Sequence, residues 1–514
     1  MSHDLFASLY SAGKPFALID TRERRDHVNG HWFGSSNVPL SVLTATIVRL
    51  IPDRNFPIHL LDWANPASAA AASCLARLGY SNVTRCPTQV PDTPGHGFVK
   101  GEYVWSKAFG ELVAHTAGLP ELTPCDYLAD GQRARFFDVR PTAEYAQFTI
   151  PESQSLPNSL LLANMDRLRA SGETALLHCA GRTRSIIGAC TLKAAGYDGP
   201  YAIFRGGTQA WQLEGLEREF NAARVFARES EDNQPAMDFL YRWSIPCEHV
   251  DSKDLADFLE AHRDAHLFDV SDDAARGEAL GHGIVKISGT NLIQQTDQSI
   301  ARYHVPVLLF DQGSGSRAAF AAYWLQAMGF VVRVVYLDAP LAPELPADGM
   351  PASADLAYPA LTVDQLLVLR EKAHPILDFR PSRDFGQQHV QGSRWQNIGE
   401  RLAVGMQIEP GANASVVVIG TERARASDCA AYLDEAGTCI AGIYAWKPAD
   451  IDADLLTTVS MDEPIDECAL FAGRHHGNLQ DSRDYLAWEE ALPEQIDRPL
   501  HDLWLQRLAQ TPKA

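Results

Sequence analysis

Long apolar segments and regularly paired cysteines are both missing from this sequence. No run approaches the roughly 18 consecutive apolar residues that a membrane span needs. The N-terminus, MSHDLFASLYSAGKPF, also has no extended apolar stretch of the kind that a signal peptide carries. The nine cysteines are an odd number without paired spacing, which argues against a disulfide framework and for a reducing compartment. These absences predict a soluble cytoplasmic protein.

Basic residues are scarce relative to acidic ones. The chain has 44 Lys and Arg against 65 Asp and Glu, which gives a net charge of −21. This excess of negative charge argues against nucleic acid and anionic membranes as partners, and we expect neither. An anionic substrate would have to be attracted locally, by a small group of cations.

The most informative segment is 176–189, LLHCAGRTRSIIGA. An apolar strand is predicted to lead into Cys179, which opens a loop containing Arg182 and Arg184, and Ser185 is predicted to start an apolar helix. The N–H groups of such a loop and the N-terminal end of the helix both favour negative charge. We therefore expect the thiol of Cys179 to have a lowered pKa and to be nucleophilic, the alternative being an inert buried cysteine.

The spacing within this loop narrows the chemistry. Four residues separate Cys179 from Arg184. Tyrosine-phosphatase loops also read His-Cys and end in Arg-Ser or Arg-Thr, but they place five residues there, so that the arginine can fork around a phosphate. The shorter loop disfavours a phosphatase or an arsenate reductase. It resembles the active-site loop of the rhodanese family, in which a six-residue ring holds a cysteine persulfide.

The same frame occurs four times along the chain. Each copy has an Asp at the end of an apolar strand, at Asp20, Asp138, Asp269 and Asp378. A second strand, a polar loop and an Ala-rich helix follow, and the residue at the cysteine position is Asp62, Cys179, Asp311 and Thr421 (or Gly420). A glycine ends each helix, at Gly79, Gly196, Gly329 and Gly437. Self-similarity at a fixed spacing sets the domain count at four.

These repeats predict an α/β fold with four tandem rhodanese-like domains, each a small parallel sheet flanked by helices, and a helical C-terminal tail. The predicted boundaries are 1–118, 119–232, 233–350 and 351–450 for the domains and 451–514 for the tail. The linkers are expected where the composition turns to Pro, Gly and charge, at 88–96, 119–124, 228–235 and 338–359. Apolar residues near helical spacing in 481–492 and 499–508 predict a packed helical appendage or a dimer contact.

Only the second repeat has a cysteine at the loop position, so we expect one catalytic domain and three inactive ones. A carboxylate that faces the N–H groups of such a loop cannot attack sulfur and would repel an anionic substrate. In the tandem rhodaneses that this chain resembles, inert copies often pack against the active one and form the walls of its entrance. The resemblance is specific in the second repeat, through Asp138-Val139-Arg140, Glu144-Tyr145, the 179–185 loop and the 205–211 segment. The usual Gly-His-Ile is replaced by Phe148-Thr149-Ile150, which we expect to affect packing more than chemistry.

The resemblance implies a set of site residues. Cys179 is the nucleophile. The substrate-binding residues are Ala180, Gly181, Arg182, Thr183, Arg184 and Ser185. The supporting residues are Asp138, Arg140 and Gly206, and no metal or cofactor is expected, since the spacing of Cys468 with His475 and His476 fits no zinc pattern.

Individual roles follow from the chemistry of the side chains. Arg182 and Arg184 would bind a small dianion, because a guanidinium presents fork donors and keeps its charge, the alternative being a solvated surface pair. Ser185 either donates to the sulfur or caps the helix, and we favour the cap. His178 precedes the nucleophile on the strand and should point to the opposite face, into the core.

The resemblance implies a thiosulfate sulfurtransferase. The thiolate of Cys179 would take the outer sulfur of thiosulfate, release sulfite, and pass the sulfur from its persulfide to cyanide in vitro or to a thiol in the cell. The alternatives are a 3-mercaptopyruvate sulfurtransferase, which usually has a less basic loop of the Gly-Ser-Gly type, and a non-catalytic persulfide sensor or scaffold. The expected partners are the small-molecule donor and the thiol acceptor, with a homo-oligomer left open.

Overall fold

The computed structural model describes residues 5–64, 66–91, 97–129, 134–281, 283–339, 341, 358–400, 415–461 and 464–513. Mostly parallel strands alternate with helices, which is the α/β class that the sequence predicts. Within these ranges no helix is long and apolar enough to cross a membrane. The predicted linkers at 88–96 and 338–359 lie partly outside the described residues.

Four sheets of four or more strands form the framework of the described residues, one for each predicted repeat, and the first also takes in a strand of the third repeat. The first contains Phe16–Asp20, Ser36–Asn37, Ile58–Asp62 and Val83–Pro87, with Arg302–Tyr303 antiparallel at its edge. The second has the order Glu121–Leu122, Tyr201–Phe204, Thr174–His178, Ala134–Asp138, Gln154–Ser155. The third has the order Cys247–Val250, Val332–Leu337, Val307–Asp311, His266–Asp269, Ile284–Ile287, Arg276–Gly281, and the fourth Arg394–Trp395, Ile376–Asp378, Ser415–Gly420, Cys439–Ala445. Two short pairs join His31–Trp32 to Phe98–Val99 and His389–Val390 to Leu456–Thr457. The division into four domains stays a prediction.

Helices flank these sheets. Those of the first repeat are Leu5–Ser11, Arg24–Asn29, Leu43–Leu50, Pro66–Arg77 and Val104–Ala117, and those of the second Pro124–Ala129, Thr142–Gln147, Leu161–Ser171, Thr183–Ala194 and Gly207–Leu213. The third has Gln234–Arg242, Leu255–Ala261, Gly289–Gln294, Thr296–Ser299 and Ser316–Ala327, the fourth Val363–Glu371, Ser382–Gln387 and Arg423–Glu435, and the tail Leu479–Glu490 and Arg498–Leu508. Short 3₁₀ turns lie at Leu40–Val42, Asn158–Leu160, Pro448–Asp450, Ala453–Leu455, Ala472–His476 and Leu492–Gln495.

Two features of the repeated frame have the same local structure in every copy. The four Asp residues that mark it each end a strand, as predicted. The four glycines that follow the loop helices have left-handed backbone, with φ of 87°, 76°, 102° and 88° at Gly79, Gly196, Gly329 and Gly437. Glycine adopts this conformation without the clash that a Cβ brings, so it ends these helices.

The largest apolar core of the described residues joins the first three predicted repeats to the tail. Trp105 and Phe109 of the helix Val104–Ala117 pack on Trp504 of the tail, with ring centroids 5.3 and 5.1 Å apart, and all three side chains are at most 1% exposed. Trp324 of the third repeat contacts Phe109 from another side. Burying an aromatic side chain of this kind stabilises the fold by about 1.5–3 kcal/mol. The tail is therefore a packed helical appendage, as one of its two predicted roles requires.

Candidate active site

Cys179 follows the central strand of the second sheet. The strand Thr174–His178 pairs in parallel with Ala134–Asp138 and Tyr201–Phe204, and the loop leaves its carboxyl end, where ligand sites of parallel sheets lie. The helix beyond the loop begins at Thr183, two residues earlier than predicted. The predicted cap at Ser185 is wrong, because this serine lies inside the first turn and donates its hydroxyl to the carbonyl of Arg182 at 2.8 Å.

The neighbouring helix Gly207–Leu213 binds and orients the loop. The N–H groups of Thr208 and Gln209 donate to the carbonyls of Cys179 and Ala180 at 3.0 and 3.1 Å. Gly207 has a φ of 54°, and a Cβ added there would lie 2.1 Å from the carbonyl oxygen of Cys179. Glycine is thus required for this close approach. Because these two carbonyls point to the helix, the N–H groups of Gly181 and Ser185 can face the sulfur of Cys179.

The thiol of Cys179 lies among these loop N–H groups, which together are called the cradle below. The side chain is 2% exposed, and Sγ is 3.9 Å from the hydroxyl of Ser185. Burial raises the pKa of Cys179, while Arg184 and the N–H groups of Ser185 and Gly181 act to lower it. The lowered pKa expected from the sequence is therefore wrong in direction, because the depth of the site outweighs the cradle.

Arg184 is the loop arginine whose charge acts on the sulfur of Cys179. Its Nη1 donates to both carboxylate oxygens of Glu144 and to Oε1 of Gln294, each at 2.9 Å. Glu144 belongs to the second repeat and Gln294 to the third, so two repeats position this guanidinium. Its charge still acts on the thiol of Cys179.

All three guanidinium nitrogens of Arg182 interact with carboxylates. Its Nε and Nη2 donate to the two oxygens of Glu111 at 2.9 Å each, and its Nη1 lies 2.9 Å from Oε1 of Glu490. The side chain of Glu111 is 0% exposed. Arg182 is thus a buried link between the first repeat, the loop and the tail, and not the solvated surface residue of the alternative reading.

Asp138 and Arg140 form a buried ion pair at the neighbouring strand end. Nε of Arg140 donates to Oδ1 of Asp138 at 2.9 Å and Nη2 to Oδ2 at 2.7 Å, and Thr149 adds a hydroxyl bond of 2.8 Å. Burial acts to raise the pKa of Asp138, and the guanidinium overcomes it and holds that pKa well below its usual range. The pair fixes the end of the strand next to Cys179.

His178 points away from the nucleophile, as predicted. Its Nε2 lies 2.6 Å from the hydroxyl of Ser153, and the ring is 0% exposed. Burial lowers the pKa of His178 to about 4, so the ring is neutral at pH 7. It is a hydrogen-bonded core residue.

A cavity of about 450 Å³ opens over the loop. Its walls come from the second repeat, from the first (Glu102, Tyr103, Ser106, Lys107), from the third (Arg276, Asn291, Gln294, Gln295) and from the tail (Arg474, His475, Tyr485, Glu489). Phe148 also lines it, so the departure at this position reaches the site and does not concern packing alone.

The tail covers the loop with two side chains that the sequence analysis did not assign to the site. Tyr485 and Glu489 belong to the helix Leu479–Glu490, and a Cβ added to Gly181 would meet each of them at 3.0 Å. The hydroxyl of Thr183 donates to Oε1 of Glu489 at 2.5 Å. The one available signal was helical spacing, which places residues four apart on one face, but nothing in the sequence says what that face contacts.

Carboxylates fill the corresponding loops of the first and third repeats. Asp62 accepts bonds from the N–H of Ala64 at 3.1 Å and the hydroxyl of Ser68 at 2.7 Å. Asp311 is 1% exposed and accepts from the N–H groups of Gln312 and Ala318 at 2.8 and 2.9 Å. Each of these two loops therefore has a hydrogen-bonded carboxyl group at the position that Cys179 takes in the second repeat. Among the described residues no group of three or more His, Cys, Asp or Glu side chains is placed to hold a metal ion.

Comparison with known proteins matches the segment that contains Cys179 to a known type of domain. Residues 126–214 match the rhodanese-like domain. The chain is also similar in structure to a thiosulfate sulfurtransferase from Pseudomonas aeruginosa, with a TM-score of 0.80 and 25% identity over 98% of both chains. A Bacillus halodurans protein matches 22% of this chain over 89% of its own length, with 21% identity and a TM-score of 0.18. A rhodanese-like domain from Anabaena matches 21% over 92% of its length, with 19% identity and a TM-score of 0.18. No curated protein sequence matches the chain.

Proposed function

We propose that the protein is a thiosulfate sulfurtransferase in which Cys179 carries the transferred sulfur as a persulfide. The observation that carries the proposal is the thiol of Cys179 set in a cradle of loop N–H groups within the rhodanese-like domain. The similarity to a thiosulfate sulfurtransferase over nearly the whole chain supports the choice of donor.

The proposed reaction is a double displacement. Sγ of Cys179 attacks the outer sulfur of thiosulfate, the S–S bond of thiosulfate breaks, and its electron pair leaves on sulfite. The loop N–H groups then face the outer sulfur of the persulfide, whose negative charge they stabilise. Cyanide or a thiol attacks that sulfur, and the electron pair of the persulfide bond returns to Cys179.

The proposal includes a single active repeat. The carboxylates of Asp62 and Asp311 occupy their own loops and cannot form a persulfide. In the fourth repeat, the strand Ser415–Gly420 is followed by Thr421, which carries no thiol.

Mass spectrometry tests the nucleophile and the number of active repeats together. Incubation with thiosulfate should add one sulfur atom per chain, on the peptide that contains Cys179, and Cys179→Ser should abolish both this adduct and thiosulfate:cyanide activity. Cys125→Ser is the matched control, since this exposed thiol lies in the same repeat, and it should behave like the wild type. Two sulfur atoms per chain, or full activity in Cys179→Ser, would contradict the proposal.

One observation favours 3-mercaptopyruvate as a second candidate donor. All three nitrogens of the Arg182 guanidinium are already bonded to carboxylates, which leaves Arg184 as the loop arginine for a substrate anion. One guanidinium suits a monocarboxylate as well as it suits a sulfonate. Sulfite and pyruvate release, measured with each donor in turn, decides between the two.

A further inference from the structure

Glu489 brings a buried carboxylate to the Cys179 loop from outside the matched rhodanese-like domain. Its side chain is 1% exposed and lines the same cavity as Cys179. Oε1 accepts the hydroxyl of Thr183, whereas no described residue hydrogen-bonds to Oε2. Oε2 lies 3.0 Å from where a Cβ on Gly181 would stand, directly over the loop.

The cations near this carboxylate are held by other partners. Lys107 donates to the carbonyl of Glu102 at 2.8 Å and lies 4.6 Å from the ring centroid of Trp488. Arg182 is bonded to Glu111 and Glu490. A buried carboxylate oxygen with no hydrogen bond costs free energy, and a catalytic role is one of the reasons for which native proteins keep such a group. The titratable and charged groups that act on or with Glu489 are Lys107, Glu111, Cys179, Arg182 and Tyr485.

The total charge in the cavity shows what such a carboxylate can do for the thiol. If Cys179 lost its proton to solvent, two negative charges would line the same buried cavity, which like-charge repulsion disfavours. If the proton passes to Glu489, the site keeps a single negative charge. A neutral Glu489 also repels an arriving anion less than a charged one.

We propose that Glu489, across the cavity that it shares with Cys179, takes the proton of the thiol through a bridging water as Sγ attacks the donor, and returns it when the sulfur has been passed on. The role rests on the proposed persulfide chemistry. In the first half-reaction Sγ bonds to the outer sulfur of thiosulfate, the thiosulfate S–S bond breaks toward sulfite, and the proton passes through Glu489 to sulfite. In the second, the acceptor thiol gives its proton to Glu489, its sulfur bonds to the outer sulfur of the persulfide, and Cys179 recovers the electron pair and the proton.

Alkylation of Cys179 by iodoacetamide in the full-length protein tests this without any sulfur donor. With Glu489→Gln we expect the rate near pH 7 to fall about 100-fold, the lower end of general-base contributions, and to recover toward the wild-type rate as the pH is raised and solvent hydroxide removes the proton. A carboxylate that only repels would give the opposite sign, since its loss would favour the thiolate and speed alkylation. An unchanged or faster reaction at pH 7 overturns the proposal.

Two further variants separate charge and folding from proton transfer. Glu490→Gln removes the same charge from the next residue, which pairs with Arg182 and Arg205, and should leave the pH profile unchanged. Glu489→Asp keeps a carboxylate and should recover part of the alkylation rate. If Glu489→Gln does not fold, the pH profile of Glu489→Asp decides whether residue 489 acts as the base. Persulfide formation in a single turnover with thiosulfate is measured separately. Its absence in the wild type refutes the proposed function, whereas the alkylation profile alone decides the role of Glu489.

Discussion

At the scale of single residues, the environment of Cys179 depends on groups that are remote in the sequence. The loop itself supplies N–H groups and Arg184, which act to lower the pKa of the thiol, and these were predictable from LLHCAGRTRS. Burial and Glu489 act in the other direction, and both result from packing of the tail and the other repeats. The position of Cys179 in a strand-to-helix loop was therefore predictable from sequence, but the direction of its pKa shift was not, and its role as nucleophile stays a proposal.

Arg184→Ala should raise the KM for thiosulfate more than it lowers kcat, because the guanidinium would bind the sulfonate end of the donor. The expected loss is about 1.5–3 kcal/mol in kcat/KM for a charge-assisted hydrogen bond. Steady-state kinetics with thiosulfate and with 3-mercaptopyruvate measure it. If only 3-mercaptopyruvate use suffers, thiosulfate is not the donor.

Arg182→Ala should act mainly on stability, since it leaves the buried carboxylate of Glu111 without its bidentate partner. We expect the free energy of unfolding to fall by about 3–5 kcal/mol at pH 8. Burial raises the pKa of Glu111 to about 7, so its charged form is the one that folding disfavours. The stability deficit should therefore grow as the pH rises through 7 and shrink as it falls.

Denaturant unfolding of Arg182→Ala at several pH values tests this expectation. Arg205→Ala is the control, because Arg205 is 49% exposed and also pairs with Glu490. An exposed pair contributes about 1 kcal/mol at most. A deficit that does not vary with pH would show that Glu111 is not the cause.

At the scale of elements, strand ends and helix ends were predictable because their signals are local. Apolar runs ending in Asp gave the strands, and a glycine gave the end of each loop helix. The start of the helix Thr183–Ala194 was misplaced because Ser185 bonds backward within the first turn and does not cap it. The 205–211 segment carries part of the family resemblance, but nothing in its sequence says that Gly207 approaches the carbonyl of Cys179.

Gly207→Ala should disrupt the cradle. The added methyl would lie 2.1 Å from the carbonyl oxygen of Cys179, and the φ of 54° is strained for alanine. We expect persulfide formation to be lost and the melting temperature to fall. Gly215→Ala is the matched control, with a φ of 74° and nothing within 4 Å of the added methyl, so it carries only the backbone penalty of about 1–2 kcal/mol. Equal effects of the two substitutions would exclude the contact with Cys179 as the cause.

At the scale of the whole molecule, the packing of the predicted repeats could not be inferred from sequence. Spacing along the chain predicts four copies of one frame, but it holds no information on which faces meet. The cavity depends on such meetings, since Lys107, Gln294 and Glu489 reach it from three different parts of the chain. The acidic tail was predicted to be an appendage or a dimer contact, and its place over the loop could not be inferred from helical spacing.

Trp504→Ala should destabilise the whole protein. The side chain is 0% exposed, donates to the carbonyl of Met328 at 3.0 Å and packs on Trp105 and Phe109. Removing it should cost about 3–5 kcal/mol. Calorimetry measures the loss, and Leu479→Ala, at a site 38% exposed in the other tail helix, should cost much less. A similar melting temperature for both variants would contradict a core joined through Trp504.

The cover over Cys179 also has a consequence for synthesis of the chain. Thr183 and Glu489 are 306 positions apart, so the loop leaves the ribosome about 15–60 s before its cover at roughly 5–20 residues per second. During that interval the thiol of Cys179 lacks the cover of the tail and is open to oxidants and to small electrophiles. A premature stop shortly before residue 479 would make that exposure permanent, and the truncated product would be a chain with a bared cysteine.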